Sequence, residues 1–175
     1  MAERGASGGD SGGDSGSNGG IVLRAARDAD GPGVIAVVAA AYAEYPGCIL
    51  DVEAEEPELK APASAYARKF GRFWVATDAA QILGCVACLP APERGLEMEK
   101  LYVASSARRY GLGTRLLDLV EAEATARKAG YITLWTDTRF EAAHAFYKAH
   151  GFRRSGLREL DDASQSVEYG FRKDL

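Results

Sequence analysis

Residues 97–129 read as a strand, a tight turn and a long helix entered through two glycines. Glu97-Met-Glu-Lys-Leu-Tyr-Val103 is the strand, Ala104–Ala107 the connection, and Arg108-Arg-Tyr-Gly111-Leu-Gly113-Thr114 the turn. Gly111 opens a helix that the pattern carries to Ala129, with Gly130 suited to stop it. A strand feeding a helix this directly belongs to a sheet-and-helix domain. Glycines at i and i+2 also let a ligand approach the backbone closely and leave N–H groups unpaired at the helix start. With the helix dipole and Arg108 or Arg109, those groups suit a pyrophosphate. Taken alone, the glycine pair is equally a simple tight turn. Two phosphate motifs are excluded. A P-loop needs Gly-Lys-Ser/Thr where this chain has Gly113-Thr114-Arg115. A dinucleotide fingerprint needs glycine where this chain has Leu116.

The flanking sequence alternates between strand and helix periods. Strands are expected at Ile21–Arg24, Phe73–Thr77, Gln81–Leu89, Tyr131–Thr136 and Val167–Arg172, with a turn at Asp78-Ala79-Ala80. Helices are expected at about Gly33–Glu44, capped by Asp28 or Asp30, at Ala63–Phe70, and at Phe140–His150, closed by Gly151. Residues 1–20 differ: eight Gly and four Ser offer too little apolar surface to repay ordering, so this segment reads as a flexible tail. The domain is assigned to residues 21–175.

Four pieces of the chain, in order, match one family. Arg108-x-x-Gly111-x-Gly113 resembles the Gln/Arg-x-x-Gly-x-Gly/Ala signature of GNAT acetyltransferases. The likeness runs upstream through Leu101-Tyr-Val103 and downstream through Gly130-Tyr-Ile-Thr-Leu-Trp-Thr-Asp-Thr138. It continues into Ala143-His-Ala-Phe-Tyr147-Lys-Ala-His-Gly151-Phe152. The resemblance implies an α/β (α+β) fold, a single domain whose mixed, mostly antiparallel central sheet has helices on both faces. Two parallel strands, Glu97–Val103 and Tyr131–Thr136, would splay apart to form the cleft for coenzyme A. The co-substrate implied is acetyl-CoA, with no metal. Its pantetheine would pair with backbone groups of Leu101 to Val103, Tyr102 lying between them. Its pyrophosphate would sit at the turn formed by Arg108, Arg109, Tyr110, Gly111, Leu112, Gly113 and Thr114.

The reaction implied is direct attack by an amine on the thioester in a ternary complex. Tyr147 matches the family's catalytic tyrosine, and a phenol near pKa ~10 can protonate a departing thiolate near ~8.5. Glu97 lies four residues before Leu101, the spacing at which the histone-acetylating branch places its base. Strand parity puts Glu97 and Glu99 on the face of Leu101 and Val103 unless a bulge intervenes. Glu99 and ordered water are the rival proton acceptors. Two positions depart from the family pattern. Ser105 stands where proline is common. Phe140 stands where many members have asparagine, leaving that CoA contact absent or supplied by Asp137 or Thr138.

Cys85-Val-Ala-Cys88 imitates a metal or redox motif, but residues three apart on a strand point to opposite faces, so buried thiols are expected. His144 and His150 flank Tyr147 on one helix face and read as surface residues. Asp51, Glu53, Glu55, Glu56 and Glu58 form an acidic run that reads as a solvated loop. As a wall beside Tyr42 and Tyr45, the same run would attract a cationic amine. The formal charge of −4, from 21 basic and 25 acidic residues, disfavours a nucleic-acid partner. The longest apolar run, Val34–Ala43, is about half of a membrane span. An odd count of three cysteines suits a reducing cytoplasm. The expected partner is therefore a small-molecule amine, with a homodimer left open. The alternatives are a protein acetyltransferase acting on Lys or N-termini, and a non-catalytic acyl-CoA sensor.

Overall fold

The computed structural model describes residues 20–78 and 81–175. The tail reading for residues 1–20, Gly20 apart, and the Ala79-Ala80 half of the expected turn lie outside the described residues. The chain forms strands β1 (Val22–Ala25), β2 (Arg72–Thr77), β3 (Ile82–Ala91), β4 (Gly95–Val103), β5 (Tyr131–Asp137), β6 (Arg153–Glu159) and β7 (Val167–Asp174). Its helices are α1 (Gly31–Tyr42), α2 (Pro62–Arg68), α3 (Leu112–Ala126) and α4 (Glu141–Ala149), with short 3-10 turns between.

All seven strands join one sheet in the order β1-β2-β3-β4-β5-β7-β6. Among the described residues only β4 and β5 run parallel, and they pair only over Gly95–Glu97 and Tyr131–Thr133. Beyond that register β4 continues to Val103 and β5 to Asp137 unpaired, so the sheet splits along its middle. One core lies under α3 and α4, built from Leu96, Met98, Leu116, Val120, Leu134 and Phe171. The other lies under α1 and α2, built from Val34, Val38, Tyr66, Phe73 and Val75. Cys85 belongs to the second core and Cys88 to the first, as strand alternation requires.

Three expectations need correction. α3 ends at Ala126 rather than Ala129, because Lys128, not Gly130, takes the left-handed conformation (φ 55). The Lys128 and Ala129 amides then close on the carbonyls of Thr125 and Ala124 in a Schellman cap. β6 went unforeseen: its Arg153-Arg-Ser-Gly-Leu-Arg-Glu159 run has no apolar alternation, because an edge strand is largely exposed. Strand parity in β4 also breaks. Ala87 pairs with Glu99 and Cys85 with Tyr102, so Lys100 and Leu101 together oppose the single residue Val86. This is a β-bulge, with Lys100 at φ 57. Before it Leu96 and Met98 face α3; after it Leu101 and Val103 do. Lys100 and Tyr102 are thereby turned toward the other side, which Glu99 already faces by ordinary alternation.

Candidate functional site

A cavity of about 790 Å³ occupies the split between β4 and β5. One end of it is the glycine turn. Arg109 (φ 69) and Gly111 (φ 72) are both left-handed, and they bring the chain sharply from β4 into α3. Arg115 is the first residue whose amide closes onto the helix, reaching the Gly111 carbonyl at 3.0 Å. The amides of Leu112, Gly113 and Thr114 stand at the open helix end, which the helix dipole makes electropositive. Gly111 to Thr114 line the cavity, as do Leu101, Tyr102, Val103, Arg108 and Arg109. Tyr110 does not: its side chain is 78% exposed and lies outside the wall.

The catalytic candidates separate. Tyr147 lines the cavity, held among the rings of Phe146, Phe152 and Phe171. Burial raises its pKa well above the ordinary phenol value, so its hydroxyl keeps its proton at neutral pH. Glu97 is half-buried on β4 and is not part of the cavity wall. Burial, with Glu99 nearby, raises its pKa. Glu99 does line the cavity, and its Oε2 accepts a hydrogen bond from the fully buried Tyr66 hydroxyl at 2.7 Å. The expected shared face of Glu97 and Glu99 with Leu101 and Val103 does not exist, because the bulge reverses parity between them.

Lys100, brought inward by the same bulge, pairs with Glu56 in the wall. Burial works against its charge, but Glu56 and Glu99 outweigh that and hold its pKa above the ordinary ammonium value. The acidic run is thus more than a solvated loop. Glu56 neutralises Lys100, and Glu55 accepts the Ala163 amide at 2.7 Å. Glu53 and Glu58 pair with Lys60 and Lys69 outside the cavity. Tyr42 and Tyr45 are wall residues, both in ring contact with Phe140, at 6.0 and 4.6 Å between centroids. Asp137 is held by Arg139 through hydrogen bonds of 2.8 and 2.6 Å.

Neither histidine matches the surface reading. His144 is buried, its Nε2 2.8 Å from the Asp137 carbonyl and its ring against Tyr169 and Phe171. His150 is half-buried and joins the Phe146 carbonyl to the Thr114 hydroxyl, tying α4 to the first turn of α3. The described residues contain no cluster of side chains suited to a metal, and no helix long and apolar enough to cross a membrane. Tyr66, Lys100 and Glu44 escaped the sequence reading. Only the Lys100 position had a signal, the caveat of a bulge in β4.

Residues 69–154 match a family model described as an acetyltransferase (GNAT) domain. The chain is 31% identical over 121 residues to a probable N-acetyltransferase 14 of Xenopus tropicalis, covering 68% of this chain and 58% of that one. It spans 43% to 58% of the length of the curated relatives it matches. Among solved structures, a GNAT-family acetyltransferase from Staphylococcus aureus Mu50 superposes with a TM-score of 0.77 at 21% identity, over 89% of this chain and 99% of that one. An acetyltransferase from Salmonella typhimurium, solved with its cofactor acetyl-CoA, superposes with a TM-score of 0.69 at 15% identity, over 89% and 94%.

Proposed function

The chain carries a GNAT acetyltransferase domain, and on that premise we propose that it transfers an acetyl group from acetyl-CoA to a primary amine of a small molecule. One observation carries this reading: a single cavity is lined by Leu112 to Thr114 at the open end of α3, by Tyr147 and by Glu99. The Salmonella protein's bound acetyl-CoA supports the choice of co-substrate. In this reading the amides of Leu112 to Thr114 and the Arg109 side chain hold the pyrophosphate. The acceptor nitrogen attacks the thioester carbonyl, and its proton leaves to Glu99, directly or through water. Glu99 replaces Glu97 in this role because it, and not Glu97, faces the cavity. The C–S bond breaks and the sulfur takes its proton from Tyr147.

A small acceptor is favoured over a protein side chain by the loops beyond the split. Ile49 and Ser164 exchange hydrogen bonds of 2.8 and 3.1 Å, joining the segment after α1 to the β6–β7 loop along the cavity edge. With Glu56 matched by Lys100, the wall carboxylates Glu55 and Glu99 favour a cationic amine. Three free cysteines support a reducing cytoplasmic setting.

The test pairs calorimetric titration of acetyl-CoA with thiol release in the presence of spermidine, tryptamine and glycinamide. Tyr147→Phe should bind acetyl-CoA as the wild type does while turnover falls about 100-fold or more. Absence of saturable acetyl-CoA binding to the folded wild type would refute the reading. Binding without turnover on any of these amines, but with turnover on a lysine-bearing peptide, would move the acceptor to proteins.

A further inference from the structure

Arg108 opens the turn in which a phosphate would sit, yet its side chain is already committed. Its Nε donates to the Val103 carbonyl at 3.0 Å. Its Nη1 and Nη2 donate to the two carboxylate oxygens of Glu44, each at 2.6 Å. Glu44 lies two residues beyond the end of α1, in the segment that runs through Tyr45, Cys48, Leu50 and Glu56. One guanidinium therefore joins the end of β4, the cofactor turn and the wall that follows α1. Farther along, the same wall segment is fastened to the β6–β7 loop by the Ile49–Ser164 pair and by the Ala163 amide on Glu55. The neighbouring Arg109 lines the cavity and has no ion pair among the described residues.

We propose that Arg108 is a positioning residue that couples occupation of the glycine turn to the ordering of wall segment 43–56 through Glu44, while Arg109 is the cation left for the ligand. A bound phosphate would steady a turn that holds two left-handed residues, Arg109 and Gly111. Because Arg108 is rigidly bonded to both Val103 and Glu44, a steadier turn holds Glu44 in place. The acceptor wall, already fastened through this pair, is then held more firmly when the cofactor end is filled. The pair is about 40% and 37% exposed, so its effect is moderate. A bidentate pair in that setting supports a change of about fivefold.

The experiment is hydrogen exchange of segment 43–56 with and without acetyl-CoA, alongside calorimetric titration. In the wild type acetyl-CoA should slow exchange in this segment about fivefold. In Glu44→Gln ligand-free exchange should be about fivefold faster, and acetyl-CoA should no longer slow it, while affinity stays within about threefold. Arg108→Gln should lose the same ligand-dependent protection, with less loss of affinity than Arg109→Gln. Three results would overturn the proposal: unchanged protection by acetyl-CoA in Glu44→Gln; affinity rising tenfold or more in that variant, which makes Glu44 a competitor of the phosphate; or a larger affinity loss in Arg108→Gln than in Arg109→Gln. The coupling rests on the acetyl-CoA reading, but the fastening does not. If the wild type binds no acetyl-CoA, unchanged ligand-free exchange in Glu44→Gln still refutes the fastening, and faster exchange upholds it.

Discussion

Gly95 begins β4 at the register where the two halves of the sheet meet, opposite Tyr131. A Cβ added there would lie 2.2 Å from Tyr131 Cζ and 2.5 Å from Cε2, far inside contact distance. The ring has little freedom to withdraw. Its hydroxyl donates to the Pro92 carbonyl at 2.7 Å, and the Arg172 guanidinium covers its face at 3.7 Å. Gly95→Ala must push the ring aside, an overpacking cost of about 1–3 kcal/mol. Losing the Tyr131 hydrogen bond adds about 1 kcal/mol. Because Gly95 has φ −92 and ψ 173, alanine fits its backbone and recovers about 0.4–1 kcal/mol from the unfolded chain. The net loss is about 2 kcal/mol, which for a domain of this size lowers Tm by about 4–8 °C. Calorimetric melting of Gly95→Ala, Tyr131→Leu and the double variant measures it. In the Tyr131→Leu background the added methyl has room, so Gly95→Ala should cost almost nothing there. A Tm unchanged within about 1 °C in the single variant, or an equal loss in both backgrounds, would refute the steric argument.

Burial pushes the Cys85 thiol up to about 12 and Cys88 up to about 11, while Cys48 lies on the cavity wall. At pH 8 a thiol of pKa 11 is only about 0.1% thiolate, so native protein should release one equivalent of thionitrobenzoate from Ellman's reagent and three after denaturation. Two or more thiols reacting at one rate in the native state would contradict the burial. Arg24 bonds both oxygens of Asp30 at 2.7 and 2.8 Å and holds its carboxyl below the usual range. The stability this contributes is present above the unfolded pKa of about 3.9 and disappears as pH falls through the lower folded value. Wild type should therefore melt above Asp30→Asn at pH 6, with the gap closing toward pH 2. A gap constant across that range would show that the ionised carboxylate is not its source.

The elements with strong local period were legible in the sequence. The glycine turn, the start of α3, α4 with its Gly151 stop and the helix position of Tyr147 all follow from neighbours within a few residues, where chirality and helix geometry act. So did the opposite faces of Cys85 and Cys88. What lay beyond reach depends on partners distant in the chain. Nothing near Arg153 marks an edge strand, because its ladder is made with β7. Nothing near His144 marks burial, because its cover is Tyr169 and Phe171.

The sequence by itself determined the order of strands and helices apart from β6, the glycine turn and the helix that carries Tyr147, because each is written in short-range spacing. The tertiary structure alone decided which acid faces the cavity. Glu97 still pairs with Thr133 where the two halves of the sheet are joined, whereas Glu99 lies two residues beyond that pairing, where the strands part, and the bulge that follows turns Lys100 to the side Glu99 faces. It likewise decided that Arg108 meets Glu44, which lies 64 residues away in the chain. Register and long-range pairing are set by the whole sheet closing at once, so neither could be read from the local pattern.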